Sequence, residues 1–315
     1  PLAEQGASRS EIQNQTGQIL GVHDATLDVA EGEIVVLMGL SGSGKSTLLR
    51  AVNGLNPVIR GSVEVSDGHA MVDVTQCSAR SLRQLRQSRV AMVFQQFGLL
   101  PWRSVAENVG FGLELAGEPE EVRRKTVARQ LDLVGLTAWG DRRVAELSGG
   151  MQQRVGLARA FATDAPILLM DDPFSVLDPL IRTRLQDELL DLQRDLRRTI
   201  IFVSHDLDEA FKLGGRIAIM EGGRIVQCGT PRDIFSNPVN AYVADFVANM
   251  NPLGVLTARD VMGDAVYEGE PVAAEAPVRD LMPRLVGDRV LSVVEGDAIL
   301  GSVTAQSIID RLAQP

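Results

Sequence analysis

The sequence predicts an α/β fold built on a largely parallel sheet. Three observations carry this. Short apolar, β-branched runs recur at residues 34–38, 90–94, 167–170 and 199–203, and helical text separates each from the next. That order is the pattern of parallel strands joined by crossover helices. The first run also enters a glycine-rich loop, as strands of such sheets do at their carboxyl ends. At roughly 150 residues per domain, 315 residues predict about two domains or one with an appendage. Hydrophobic residues at 45% and charged residues at 23% are those of an ordinary folded protein, which excludes disorder and collagen.

Residues 1–18 are polar and aromatic-free, with one possible helix start at Ser10-Glu11, and the N-terminal segment 1–20 receives no firm role. From Val22 the text changes. Leu27 and Val29 alternate with polar neighbours, Glu31-Gly32-Glu33 reads as a turn, and a strand follows at Ile34 to Met38. Between the second and third apolar runs lies a helix-rich insert, about residues 99–159, read as its own lobe. Pro119 and two acids open one of its helices, and Glu121 stands four residues before Lys125, a stabilising spacing. Near Asn249 to Pro252 an Asn/Pro linker marks a boundary, giving a domain at 21–251 and a smaller one at 252–315. In the latter, Val290 to Val294 reads as a strand, and Leu285, Leu291 and Ile299 are expected to begin a second core.

Lys and Arg number 31 against 41 Asp and Glu, so the net charge is −10. A nucleic-acid role needs Lys and Arg to neutralise phosphates, so no nucleic-acid partner is expected. Cys77 and Cys228 lie far apart and outside any CxxC, which reads as two isolated thiols. No stretch approaches the roughly 18 apolar residues of a membrane span. The chain begins at Pro1 without a basic-then-apolar leader, so a cytosolic location and an N-terminus further upstream are expected.

The segment Gly39-Leu40-Ser41-Gly42-Ser43-Gly44-Lys45-Ser46-Thr47 satisfies GxxxxGK[ST], follows a strand and precedes helical text. Small residues let backbone N–H groups wrap a phosphate, and the helix places its positive end at the anion. Lys45 is expected to reach the β- and γ-phosphates and the Ser46 hydroxyl to ligate Mg²⁺. Asp171, at the tip of the third apolar run, fits the second metal-holding carboxylate.

Leu147-Ser148-Gly149-Gly150-Met151-Gln152-Gln153-Arg154 stands about twenty residues before Asp171. Together with Gln95, Ser175-Val176-Leu177-Asp178 and His205, it resembles the motif set of ATP-binding cassette proteins, in that family's order over residues 22–229. The resemblance implies a P-loop NTPase with a RecA-like core and a helical subdomain. It also implies ATP and Mg²⁺ as cofactors and a head-to-tail homodimer. Ser148, Gly149 and Gly150 would then meet the γ-phosphate held by the partner's Gly39–Thr47 loop, with Asp178 bridging the two sites. Gln95 would touch Mg²⁺ or the attacking water, His205 the γ-phosphate, and Asp172 would polarise the water.

Two departures stand out. The family has Glu where this chain has Asp172, one methylene shorter, which withdraws the carboxylate by on the order of 1 Å and predicts slowed hydrolysis. The family also stacks adenine on an aromatic ring before the phosphate loop, but the first aromatic here is Phe94. Either that ring lay upstream of Pro1, the favoured reading, or His23 or an apolar side chain replaces it.

Residues 95–105, with Asn53-Gly54-Leu55, Met151 and Asp178-Pro179-Leu180-Ile181-Arg182, look like importers of quaternary amines, closest to the choline-uptake type. The resemblance implies a transmembrane permease docking on residues 95–105, with Phe97, Leu99, Leu100 and Trp102 as apolar anchors. It further implies an extracytoplasmic solute-binding protein and a peripheral place on the cytoplasmic face of the inner membrane. Residues 256–262 and 291–304 resemble one incomplete CBS-type repeat, a small α+β segment. The rival readings are a cassette that holds ATP as a regulator with impaired hydrolysis, and an importer ATPase for another small solute.

Overall fold

The computed structural model describes residues 2, 4–248, 252–264, 268–296 and 298–312. The chain divides into two compact units, one holding residues up to His205 with Gly215–Cys228, the other holding Asp206–Gly214 and the residues from Gly229 on. Pro252 falls inside the second unit, which already takes in the two helices before it.

In the first unit, helix α1 (Arg9–Thr16) starts two residues earlier than the Ser10-Glu11 reading. The reason is a capping box in which Ser8 accepts from the Glu11 N–H and Glu11 accepts from the Ser8 N–H. Leu27 and Val29 do pack on the core, as their alternation suggests, yet no strand forms there. Strand β1 (Ile34–Met38) follows, then α2 (Lys45–Val52), the antiparallel pair β2 (Glu64–Ser66) and β3 (Met71–Asp73), α3 (Ala79–Ser88) and β4 (Val90–Val93).

The insert forms the expected helices, α4 (Val105–Val109), α5 (Phe111–Leu115), α6 (Glu120–Leu133) and α7 (Gly149–Ala162), which pack on one another. The Glu121–Lys125 pair forms at 2.8 Å on the open face of α6. Next come β5 (Ile167–Asp171), α8 (Pro179–Leu196) and β6 (Thr199–Val203). Helix α9 (Leu207–Leu213) belongs to the second unit, and β7 (Arg216–Glu221) and β8 (Arg224–Gly229) complete the sheet.

That sheet runs β4-β5-β6-β1-β7-β8, with β4 to β7 and β1 all in parallel register. Strand β1 is buried along its whole length between β6 and β7, which is why its text is an unbroken apolar run. Val35, Leu37, Leu49, Leu169 and Val203 form the core beneath it. Each such side chain contributes about 1.5–3 kcal/mol by leaving water.

The second unit continues with α10 (Pro231–Ser236), α11 (Ala241–Val247), α12 (Ala258–Val261), β9 (Glu270–Ala273), α13 (Val278–Leu281), β10 (Leu291–Glu295), β11 (Ala298–Val303) and α14 (Ala305–Leu312). Its sheet runs β11-β10-β9, antiparallel on one side of β10 and parallel on the other. Leu285 and Leu291 join its core, as expected, but Ile299 is 52% exposed. A bulge explains the miss: Val293 pairs Gly301 while Val294 pairs Ile299, so Leu300 is the extra residue and turns inward in place of Ile299. Among the described residues, no helix is long and apolar enough to cross a membrane.

Candidate functional site

Four loops meet the carboxyl ends of adjacent parallel strands: Gly39–Lys45 after β1, Asp171-Asp172 at β5, Ser204-His205 after β6 and Gln95 after β4. In open parallel sheets this edge is where ligands bind.

The glycine loop is shaped by close approach. A Cβ on Gly39 would lie 2.2 Å from the Met220 carbonyl oxygen, and one on Gly44 would lie 2.5 Å from that of Gly21. Both residues also have positive φ, 139° and 103°, so only glycine fits at either point. The Lys45 ammonium folds back over the loop and donates to the carbonyls of Gly39 at 2.7 Å and Leu40 at 2.9 Å. Burial lowers its pKa, against the opposing pull of the Asp172 and Asp171 charges.

Asp171 is fully buried, and both its oxygens are engaged by α2. The Ser46 hydroxyl donates to Oδ1 at 2.7 Å, and one turn along the helix Arg50 Nη2 donates to Oδ2 at 2.8 Å. A hydroxyl and a carboxylate at this separation are hard oxygen donors of the kind Mg²⁺ takes, with phosphate oxygens and water filling the remaining positions. Among the described residues, no three His, Cys, Asp or Glu side chains cluster as a metal site.

Asp172 lies in the left-handed region at φ 53°. Its N–H donates to the Val203 carbonyl at 3.1 Å, and its carboxylate reaches the exposed His205 ring, Oδ1 to Nδ1 at 3.0 Å. Burial raises the Asp172 pKa, and the His205 contact acts in the opposite direction. Its carbonyl oxygen accepts from Gln153 Nε2 at 3.2 Å and from the Ser175 hydroxyl at 3.1 Å. The same buried amide accepts from the Val176 N–H through Oε1 at 3.3 Å. Gln153 thereby ties helix α7 to the segment after β5, a link the sequence reading did not find.

Ser148 caps α7, its Oγ accepting from the Met151 N–H at 3.4 Å, which leaves its own O–H to donate elsewhere. Gly149 faces open space, whereas a Cβ on Gly150 would lie 3.3 Å from the Val176 carbonyl oxygen. Asp178 caps α8 through the Ile181 N–H at 3.0 Å.

Gln95 sits exposed in the turn after β4 and has no hydrogen bond to Ser46 or Asp171 among the described residues. The chain just beyond it is firmly held. Arg159 of α7 donates to the carbonyls of Phe97 and Gly98 at 2.8 and 2.7 Å, and the fully buried Asn108 exchanges bonds with the backbone of Leu100. Trp102 is 66% exposed, while Phe97, Leu99 and Leu100 are half-buried. The structure thus brings Ser46, Asp171, Lys45, Asp172 and His205 together, and leaves Gln95, Ser148, Gly149 and Asp178 open to solvent on their own segments.

His23 donates its backbone N–H to Gly223 at 2.9 Å, beside the turn joining β7 and β8, and burial lowers its ring pKa. The sequence reading also missed Arg50, although its place four residues after Ser46 sets both on one helix face.

A family model described as ABC transporter matches residues 22–175. The trimethylamine N-oxide transport system ATP-binding protein TmoW of Ruegeria pomeroyi is 46% identical over 303 residues, 94% of this chain and 87% of that protein. The glycine betaine/proline betaine transport system ATP-binding protein ProV of Escherichia coli is 52% identical over 258 residues, 82% of this chain. The chain spans only 64% of the length of ProV. Among solved structures, the ATP-binding cassette MJ0796, a dimer in a post-hydrolysis state bound to ADP and Pi, is 31% identical with a TM-score of 0.63. That match covers 67% of this chain and 90% of MJ0796. The chain belongs to the ABC transporter family, among its ATP-binding proteins.

Proposed function

We propose that this chain is the ATP-hydrolysing subunit of an importer for a small methylated amine, glycine betaine or a close analogue such as choline. The observation that carries the reading is the Ser46–Asp171 pair at the mouth of the Gly39–Lys45 loop, with Asp172 and His205 beside it. The solute class is supported by the relatives, which are named for betaine and trimethylamine N-oxide transport.

In this reading Gly39 to Thr47 cradle the triphosphate, and Lys45 leaves the loop carbonyls for the β- and γ-phosphate oxygens. Ser46 and Asp171 would hold Mg²⁺, which would supply neutralisation of charge on the phosphates. Asp172 accepts a proton from the water as its oxygen bonds to the γ-phosphorus and the bond to the β–γ bridging oxygen breaks, ADP leaving with that oxygen and phosphate being released, and His205 fixes the direction of the carboxylate. A second copy brings Ser148, Gly149 and Gly150, whose hydroxyl and N–H groups meet the γ-phosphate at the α7 N-terminus. Asp178 lies between the two sites, and Gln95 reports the γ-phosphate to residues 95–105, where a permease docks around Trp102. The motor sits on the cytoplasmic face of the membrane and works with a solute-binding protein. The CBS-like segment is proposed only as a contact surface.

The test is reconstitution with the permease and binding protein encoded beside this chain. ATP turnover is expected to rise when glycine betaine is supplied, and vesicles should accumulate it. Turnover indifferent to any permease would favour the regulator reading.

A further inference from the structure

Arg50 stands on the same carboxylate as Ser46. Its Nη2 donates to Asp171 Oδ2 at 2.8 Å, while the Ser46 hydroxyl donates to Oδ1 at 2.7 Å. The Asp171 side chain is 1% exposed and that of Arg50 38%, so the carboxylate charge is met by the protein and not by water. From this we propose that Arg50 is a positioning residue that keeps Asp171 from holding a divalent cation by itself, so that the cation enters only with a phosphate chain. The inference builds on the ATP site proposed above.

Geometry comes first. Ser46 and Arg50 lie four residues apart on one face of α2, and both reach the end of β5. An arginine facing a free carboxylate commonly grips both oxygens with two parallel N–H bonds. Here the Ser46 hydroxyl holds Oδ1, and the Arg50 Nε is left buried with no hydrogen-bond partner among the described residues. The fork is half engaged. One oxygen is thereby committed to the guanidinium and the other is turned toward Ser46, which fixes how the carboxylate can meet an ion.

Charge decides the role. Of the neighbouring groups, Asp172 turns to His205 Nδ1 at 3.0 Å, and Lys45 lies on the Gly39 and Leu40 carbonyls. Two carboxylates against Arg50 and Lys45 leave no surplus of negative charge. To accept a divalent cation alone, Asp171 would give up the Ser46 hydroxyl and share one charge between that cation and the fixed guanidinium, two like charges within a few ångströms in a place shielded from water. A triphosphate carries the missing negative charge. Arg50 thus gives Asp171 its direction and at the same time cancels its pull on a lone ion.

The experiment titrates Mn²⁺, which takes the same oxygen ligands as Mg²⁺, into the full chain without nucleotide and reads the free ion by paramagnetic resonance. Calorimetry follows binding of an ATP analogue with an uncleavable β–γ bridge. Without nucleotide, Arg50→Met and Arg50→Gln should bind Mn²⁺ about tenfold or more tighter than the parent. Arg50→Gln can still donate to Oδ2, which guards against collapse of Arg50→Met. Arg50→Lys keeps the charge and should stay within about threefold of the parent. No gain in either neutral variant, or an equal gain in Arg50→Lys, would overturn the role. So would a gain that survives when Asp171→Asn is combined with Arg50→Met, because the ion would then sit elsewhere. A residue that only holds the fold would lower Mn²⁺ and analogue binding together, which overturns it as well. Failure of the parent to bind the analogue would sink the ATP site itself, whereas normal analogue binding without the Mn²⁺ gain sinks only the role of Arg50.

Discussion

The two ends of the proposed site are built in opposite ways. Around Lys45 and Asp171, nearly every polar group already has a partner: the ammonium on loop carbonyls, the carboxylate between a hydroxyl and a guanidinium. At the tip of α7, Ser148 spends one lone pair on its cap, and Gly149 faces nothing within 4 Å. A buried, pre-paired pocket selects its ligand by geometry that one chain supplies alone. An open helix end is free to take an anion from outside the chain, and in the proposed reading a second copy brings it. If the proposed pairing of two copies holds, nucleotide binding and assembly are separable, and substitutions should separate them.

The largest effect is expected on the closed side. Asp171→Asn leaves Arg50 facing a neutral group and removes the metal-holding charge, so turnover should fall by about a thousandfold or more. Binding of Mg-ATP should lose its dependence on the metal, read by titration with and without chelator. If metal dependence survives, the closed pocket is not the metal site.

Next is Ser148→Ala. Turnover should drop by about a hundredfold with ATP affinity of the isolated chain within about twofold, and sedimentation should show ATP-driven pairing weakened. The lost cap costs about 1 kcal/mol, too little to unfold the chain. Equal damage to binding would erase the contrast between the two ends.

Asp172 sharpens it further. Replacement by Glu should raise turnover by about tenfold or more, because a longer carboxylate reaches further toward the phosphate, and equal rates would remove the idea that the short side chain limits hydrolysis. Burial raises the Asp172 pKa, so the folded chain holds that proton more tightly than the unfolded one. Its contribution to stability is complete below the ordinary carboxyl value of about 4 and is lost as pH rises through the folded value. Asp172→Asn should therefore melt higher than the parent at neutral pH, with the gain vanishing in acid.

The smallest effect is expected from Gln153→Met, which keeps volume but cuts both amide bonds to the Asp172–Val176 segment. The kcat should fall by about three- to tenfold with KM for ATP unchanged. A rise in KM instead would place Gln153 in binding and not in positioning.

Much of this was legible in the sequence, for a specific reason. The strands that carry the site are buried on both faces, and their text cannot be anything but apolar runs ending in a loop or an acid. Helix text in the insert showed itself through Pro119 and the Glu121–Lys125 spacing. What escaped were side chains acting across elements. Arg50 and Gln153 sit in helices as ordinary polar residues, and only the fold shows that one meets Asp171 and the other the backbone after β5. The exact start of α1 escaped because a polar, aromatic-free stretch gives no periodic signal, although Ser8 and Glu11 mark it. Ile299 was misplaced because the extra residue beside it, Leu300, breaks the alternation that would otherwise put Ile299 on the same face as Gly301 and Val303.

The glycine loop is gripped at both ends by chain from elsewhere, the Met220 carbonyl behind Gly39 and the Gly21 carbonyl behind Gly44. Its curvature is therefore not a private property of the motif. Grafted alone onto a foreign scaffold, the loop would lose its mould. An engineer moving this cradle must carry along the end of β7 and the stretch before β1.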